Sequence, residues 1–169
     1  ISQPFHSVLD AGGFIMNNPK DNPENSKFPA PSDGFVLTHT LIVKDRTVSC
    51  KWYKAMLDGE VVMDLGETGG PCVVKASNSW IILNVGGGDP TVDKPETTVK
   101  VKEDHDVLNQ FLNIRVANIQ DFYTSRKNLG AEFITEPKDM GGEIRCYMKD
   151  PDGYLIEVGE AKLEAILKK

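Results

Sequence analysis

The side chains best suited to chemistry are two opposite charges set into apolar, strand-like runs. Glu157 and Arg115 are each flanked by an isoleucine and a valine. Because alternate residues of a strand face opposite sides, each charge is predicted to point away from its apolar neighbours. Buried charges need partners, so one interpretation is an Arg115–Glu157 ion pair that stabilises the sheet. The other is functional: Arg115 binds a carboxylate or enolate oxygen, and Glu157 acts as a base or a ligand.

These charges belong to a set of elements that occurs twice along the chain. Patterns typical of a strand, a helix and three strands span residues 35–85, and the same order returns across residues 107–160. Val43 matches Val116, and Trp80 matches Gly153, at the same offset of 73 residues. Agreement at both ends of the unit indicates an internal repeat. The sequence therefore predicts an α+β fold of two tandem β-α-β-β-β modules forming an open, cup-shaped mixed sheet.

The two ends of the chain fall outside this repeat. Residues 1–34 are rich in turn-forming residues and are predicted to form an extended N-terminal arm. Residues 35–160 form the two-module domain, and residues 161–169 form a short, charged C-terminal helix. The predicted chemistry thus belongs to the two modules.

Composition argues against several classes of partner. The net charge of −6 over 169 residues, with basic residues scattered among acidic ones, disfavours nucleic acid and anionic membranes. No apolar run approaches the ~18 residues of a membrane helix, and the first residues lack the pattern of a secretory signal. Cys50, Cys72 and Cys146 are odd in number and lack C-x-x-C spacing, so no disulfide framework is predicted. Together these features favour a cytoplasmic protein.

Two motifs resemble those of a known family. Residues 150–158 read D-P-D-G-x-x-I-E-V, and residues 43–53 read V-x-D-x-x-x-S-x-x-W-Y. Over about residues 35–160 the chain is similar to the glyoxalase/bleomycin-resistance/dioxygenase (vicinal oxygen chelate) superfamily. The resemblance implies a homodimer and curved sheets around a small ligand, with a divalent metal in many members. Taken alone, D-P-D-G predicts only a tight turn with no chemistry of its own.

The resemblance also implies metal ligands near the ends of the first and last strands of each module. Those positions hold Thr38, Asn84, Phe111 and Glu157. Only Glu157 is a strong ligand, so a divalent metal cofactor is allowed but its ligand set is incomplete. His39 is one residue out of phase and would reach the cup only if the first strand were bulged. We therefore expect His39 to face the helix.

Alternation and the repeat together assign candidate site residues to the cup. Glu157 and Arg115 are the candidate catalytic residues. The candidate substrate-binding residues are Thr38, Thr40, Trp80, Asn84, Phe111, Asn113, Arg145 and Tyr147. Trp80 and Phe111 are placed to stack on a flat ligand, although aromatic side chains at such positions commonly fill the core.

Several functions are compatible with these residues. One is a glyoxalase-like enzyme, a lyase or isomerase acting through an enolate-type intermediate, which the polar cup favours. Another is a non-catalytic small-molecule or antibiotic binder resembling the bleomycin-resistance proteins, which the loss of ligand positions favours. A third is a structural protein with a vestigial cup. The first two share a small-molecule partner, and the sequence does not decide among the three.

Overall fold

The structure is a computed structural model of the 169-residue chain, and it describes residues 27–31, 33–66, 69–87, 90–104 and 106–167. Most of the N-terminal arm predicted at residues 1–34 therefore lies outside the described residues. Within the part that is described, none of the helices has the length and apolarity that crossing a membrane requires.

The first module is a four-stranded mixed sheet with one helix against it. Its elements are β1 (Thr38–Ile42), α1 (Arg46–Met56), β2 (Glu60–Asp64), β3 (Cys72–Ala76) and β4 (Ser79–Asn84). The sheet order is β1-β4-β3-β2, with β1 and β4 parallel and the other pairs antiparallel. The Asp45 carboxylate begins α1 by accepting the backbone N–H of Val48 at 3.0 Å.

The second module repeats this plan with one more short strand. Its elements are β5 (Leu112–Arg115), α2 (Ile119–Asn128), β6 (Glu132–Phe133), β7 (Lys138–Asp139), β8 (Glu143–Lys149) and β9 (Leu155–Ala161). The sheet order is β5-β9-β8-β6, and β7 also pairs with β8. Because β9 continues to Ala161, the C-terminal helix α3 (Leu163–Leu167) begins later than predicted. Two open mixed sheets of this kind confirm the predicted α+β fold.

Strand register corrects one equivalence between the modules. The two helices begin 73 residues apart, as predicted. Along the last strands, however, Thr40 pairs with Ile82 whereas Asn113 pairs with Glu157. The counterpart of Glu157 is therefore Ile82, at an offset of 75, and not Asn84 at an offset of 73. A shift of two residues leaves each side chain on the face predicted for it, because strands have a period of two.

One face of each sheet packs into a shared apolar core. Leu41 on β1 and Val43 just after it are buried in the same cluster as Ile156 and Val158 of the second sheet. The helix residue Tyr53 is buried there as well. We refer to the opposite face of each sheet as the cup face. It carries the side chains that alternate with the core residues along each strand.

The D-P-D-G turn connects the modules through buried hydrogen bonds. The Tyr53 hydroxyl on α1 donates to Asp150 at 2.8 Å, and the Ser49 hydroxyl donates to Asp152 at 2.9 Å. The backbone N–H of Lys44 donates to Asp152 at 2.8 Å. Burial raises the pKa of Asp150 above its ordinary value, and the bond from Tyr53 opposes this rise. We call these contacts the inter-module clamp, and the motif has an architectural role.

The cysteines differ from the prediction. Cys50 on α1 and Cys72 on β3 are joined by a disulfide, with their Cα atoms 6.4 Å apart. The two residues meet because α1 packs on β3, and no local spacing motif indicates such a pair. Cys146 is a free, buried thiol, and burial raises its pKa to about 11. The expectation of a chain without disulfides is therefore wrong for Cys50 and Cys72.

Candidate functional site

A row of polar side chains crosses the cup face of the second sheet. Asn113 on β5, Glu157 on β9 and Tyr147 on β8 are direct neighbours in the strand register. Glu157 is only 6% exposed. One of its carboxylate oxygens accepts from the Asn113 amide and the other from the Tyr147 hydroxyl. The bond to Glu157 raises the pKa of Tyr147, so this phenol stays protonated at neutral pH.

A second row on the same face carries two arginines. Arg115, Gly159 and Arg145 are neighbours on the same three strands. Arg115 donates to Glu143 at 2.7 Å, and Arg145 approaches the same carboxylate at 3.4 Å. The hydrogen bond from Arg115, with a smaller contribution from Arg145, holds the pKa of Glu143 below its ordinary value. Gly159 leaves the space that the Arg115 guanidinium occupies, because a Cβ at this position would collide with it.

The ion pair predicted between Arg115 and Glu157 is not formed. Arg115 lies in the neighbouring row and pairs with Glu143 instead, while Glu157 is held by neutral donors. Alternation along the strand predicts Glu143 on the same face as Arg145 and Tyr147, at the cup or its rim. Glu143 is nevertheless not among the candidate site residues chosen from the sequence, and its pairing with both arginines is a finding of the structure.

The candidates from the first module lie on the other sheet. Thr38 and Thr40 on β1 are exposed, and Asn84 on β4 is half-buried. The hydrogen bonds and ion pairs described above for Glu157 and Arg115 all join residues of the second sheet. The structure therefore brings together one group of candidates, which comprises Phe111, Asn113, Arg115, Arg145, Tyr147 and Glu157.

Trp80 is too buried to stack on a ligand, which corrects its predicted role. Its side chain is on the cup face but is only 1% exposed. The indole N–H donates to the backbone carbonyl of Lys27 at 3.1 Å, and the Lys75 ammonium lies 5.7 Å from the ring centre. Lys27, in the chain that precedes β1, thus lies against this part of the first sheet.

His39 lies on the helix side of the first sheet, as expected. The register of β1 with β4 runs unbroken over five residue pairs, so no bulge turns the His39 side chain towards the cup. His39 shares the face of Leu41, which is buried in the core. Burial lowers the pKa of His39 below its ordinary value. Because the His39 side chain points to the helix side, it does not serve as a metal ligand in the cup.

A cavity borders the free edge of β5 next to the two polar rows. Its volume is about 640 Å³, within the range of small-ligand sites. Asn113 and Arg115 line it from the cup side, and Leu112 and Ile114 line it from the core side. Ser77 and Asn78 of the turn before β4, and Ser79 at the start of β4, also line it. This arrangement offers room for a small molecule beside Asn113 and Arg115.

Two tandem modules with polar cup faces define a protein of the glyoxalase fold class. The sequence model of the Glyoxalase/Bleomycin resistance protein/Dioxygenase superfamily matches residues 36–158, which is most of the chain. The protein belongs to this superfamily. The resemblance carried by the D-P-D-G-x-x-I-E-V motif is thereby confirmed.

Solved structures share this fold at low sequence identity. Lactoylglutathione lyase from Agrobacterium tumefaciens is 18% identical with a TM-score of 0.59, over 78% of this chain and 97% of that chain. The fosfomycin resistance protein FosX from Listeria monocytogenes is 18% identical with a TM-score of 0.55, over 79% and 98%. TioX from Micromonospora sp. ML1 is 14% identical with a TM-score of 0.58, over 76% and 99%. Among curated proteins, none matches this sequence. These similarities show the fold alone.

The polar rows do not fit the divalent metal that the family resemblance implies. In this row the Glu157 carboxylate is the one strong metal ligand, because the neighbouring Asn113 amide and the protonated Tyr147 phenol supply no negative charge, and a firm site needs three or four ligands. Among the residues that the structure describes, the one group of three potential ligands close enough to share an ion lies elsewhere, at Cys50, Asp64 and Cys72. We therefore assign no metal-dependent step to Glu157.

Proposed function

We propose that the protein binds a small organic molecule against the cup face of the second sheet, without a metal ion at Glu157. The observation that carries this proposal is the buried Glu157 carboxylate, held in place by Asn113 and Tyr147. A carboxylate fixed by two donors is a preorganised acceptor for a ligand O–H or N–H group. The adjoining cavity of about 640 Å³ supplies space for the rest of the ligand.

The surroundings of Glu157 indicate the chemistry of this ligand. Arg115 and Arg145 share the single carboxylate of Glu143, so their remaining N–H groups favour an oxygen-bearing ligand. Phe111 is 48% exposed, and its ring lies 6.4 Å from that of Tyr147 in an edge-to-face arrangement. It offers an apolar contact beside the polar row. Two of the similar structures have names that refer to small oxygen-rich molecules, lactoylglutathione and fosfomycin.

The Glu157→Gln variant tests this site directly. We expect the affinity for a ligand found among small oxygen-rich acids and ketones to fall at least about tenfold, because a neutral amide is a weaker acceptor. The free energy of unfolding should change by less than about 1 kcal/mol, since the amide oxygen still accepts from Asn113 and the Tyr147 hydroxyl can rotate to accept from the new amide N–H. Titration calorimetry and urea unfolding measure the two quantities.

Glu132→Gln on β6 is the matched control, because Glu132 is exposed and lies on the same sheet. This variant should retain full affinity. Equal affinity of the wild type and Glu157→Gln, once a ligand is identified, would show that the proposed site is misplaced.

A second candidate is a metal-independent lyase or isomerase in which Glu157 removes a proton from bound substrate. The specific observation in its favour is that Glu157 is buried and that the two hydrogen bonds holding it come from neutral groups, the Asn113 amide and the Tyr147 hydroxyl. Exchange of a ligand's acidic C–H proton for deuterium, followed by NMR, separates the two functions. A catalyst exchanges the proton and loses this activity in Glu157→Gln, whereas a binder leaves the ligand unchanged.

Assembly and location are also proposals. Phe35 and Leu37, which precede and adjoin β1, are 81% and 79% exposed and favour a homodimer through this part of the surface. Light scattering of the Phe35→Ser variant tests the proposed homodimer.

A cytoplasmic location remains our proposal from the sequence, but the Cys50–Cys72 disulfide weighs against it, because reducing compartments seldom retain disulfides.

A further inference from the structure

Three potential metal ligands converge behind the first sheet, away from the polar rows. Cys50 comes from α1, Asp64 from the end of β2 and Cys72 from the start of β3. The two sulfurs and a carboxylate oxygen all lie within 4.8 Å of one another. Cys50 is 6% exposed and Cys72 is fully buried. The Asp64 side chain is 50% exposed and leads from the sulfurs to solvent.

A β-bulge turns Asp64 towards the cysteines. In the β2–β3 ladder, Val61 pairs with Val74, but Met63 pairs with Val73, so one residue of β2 is left over. Without this extra residue Asp64 would lie opposite residue 71 and point to the cup face. With it, Asp64 lies directly opposite Cys72 and points to the helix side. Bulges commonly re-aim a side chain next to a functional site.

Arg46 supplies a positive charge beside this cluster. It lies one helical turn before Cys50, and its Nε is 3.8 Å from the Asp64 carboxylate. Among the described residues, this Nε is the one buried side-chain nitrogen or oxygen without a hydrogen-bond partner. Two thiolates and a carboxylate around a divalent cation leave one negative charge, which the Arg46 guanidinium would offset.

We propose that Cys50, Cys72 and Asp64 form a thiol-controlled binding site for a soft divalent cation of the zinc and cadmium class. In the disulfide state both sulfurs are bonded to each other and the site is closed. A dithiol reductant transfers two electrons and two protons to the disulfide, which yields two thiols and the oxidised, cyclic disulfide of the reductant. The cation then displaces both thiol protons and is bound by two thiolates and the Asp64 carboxylate, with a fourth position for water.

Cadmium titration of the whole chain tests this proposal, because cadmium–thiolate bonds absorb in the ultraviolet. Protein reduced with a non-thiol phosphine should gain this absorption up to about one equivalent of Cd²⁺. The same protein oxidised with diamide should gain none, which provides a control in the unaltered sequence. The Cys146→Ser variant should behave like the wild type, since Cys146 lies outside the cluster.

Variants of the ligands identify the site. Cys50→Ser and Cys72→Ser should abolish the cadmium absorption, and Asp64→Asn should weaken the affinity at least about tenfold. Asp64 is at the surface, so Asp64→Asn leaves a folded chain even if a cysteine variant fails to fold. Absence of binding to the reduced wild type, or unchanged affinity in Asp64→Asn, would overturn the proposed ligand set. Loss of absorption in Cys146→Ser would place the site elsewhere.

Discussion

At the level of single residues, Asp150 and Asp152 show how one turn organises groups far away in the chain. Asp150 accepts the backbone N–H groups of Asp152 and Tyr154 with one oxygen and the Tyr53 hydroxyl with the other. Asp152 accepts Ser49 and a backbone N–H of the first module. All four carboxylate oxygens are thus used. Buried carboxylates are tolerated when donors satisfy them in this way.

The Tyr53→Phe variant measures one arm of the inter-module clamp. Removing the hydroxyl leaves a buried Asp150 oxygen without its donor, so we expect a loss of about 1–3 kcal/mol in the free energy of unfolding. Tyr123→Phe is the matched control. The Tyr123 hydroxyl contacts the exposed ammonium of Lys127, and its removal should cost less than about 0.5 kcal/mol. Equal losses in urea unfolding would contradict the clamp.

His39 gives the protein a predictable response to acid. Burial lowers the pKa of His39 in the folded chain below its ordinary value of about 6.5 in the unfolded chain. Its contribution to stability is therefore complete above about pH 6.5 and is lost as the pH falls through the lowered pKa. His39→Gln lacks this contribution, so its free energy of unfolding should fall less between pH 7 and pH 5. Urea unfolding of the wild type and His39→Gln at pH 7 and pH 5 tests this expectation. An equal fall in the free energy of unfolding of the two proteins would contradict it.

Sequence reasoning placed Glu157 and Arg115 on the face opposite the apolar core, but the ion pair that was one of its two interpretations is not formed. The face follows from the period of a strand, which is local and readable from the sequence alone. The partner depends on which residues lie side by side across strands, and this register is set by packing of the whole sheet. Arg115 and Glu157 prove to be in different rows, with Gly159 next to Arg115.

Among the elements, the ends of the two helices illustrate two uses of glycine. Gly130 after α2 has a φ of +89°, a conformation that suits glycine. After α1 that conformation is taken by Asp58, with a φ of 49°. Gly59 is needed instead for space, because a Cβ there would lie 2.7 Å from the Val74 side chain and 3.0 Å from the Lys75 carbonyl. Each glycine follows the helix of its module, but their physical roles differ.

The Gly59→Ala variant tests this close approach between α1 and β3. The added methyl group must push on a core side chain and on backbone, so we expect a loss of about 1–3 kcal/mol in the free energy of unfolding. Gly87→Ala is the control, since a Cβ at Gly87 meets nothing within 4 Å. Its stability should stay within about 0.5 kcal/mol of the wild type. Thermal and urea unfolding provide both values, and a harmless Gly59→Ala would refute the packing described here.

The order of the elements was predictable, but the bulge in β2 and the division into β6 and β7 were not. Helices and long strands have periodic apolar patterns that extend over many residues. A bulge is a single extra residue between Val61 and Met63, and it leaves no periodic trace in so short a strand. The same applies to Cys50 and Cys72, which meet only after α1 has packed on β3.

For the molecule as a whole, the disulfide is a measurable source of stability. Cys50 and Cys72 are separated by 22 residues, and closing a loop of this length restricts the unfolded chain by about 3 kcal/mol. Reduction should therefore lower the free energy of unfolding by about this amount. Cys146→Ser controls for the free thiol and should respond to reductant as the wild type does. If reduction leaves the urea midpoint unchanged, the disulfide does not stabilise this fold.

The inter-module clamp also bears on how the chain is made. Ser49 and its acceptor Asp152 are 103 residues apart, so the donor leaves the ribosome roughly 5 to 20 seconds before the acceptor at usual elongation rates. During that interval the hydroxyls of Ser49 and Tyr53 have to form hydrogen bonds with water, so this side of α1 stays exposed to solvent. The first module therefore cannot reach its final packing while it is being synthesised. Closure of the domain waits until the D-P-D-G turn has left the ribosome.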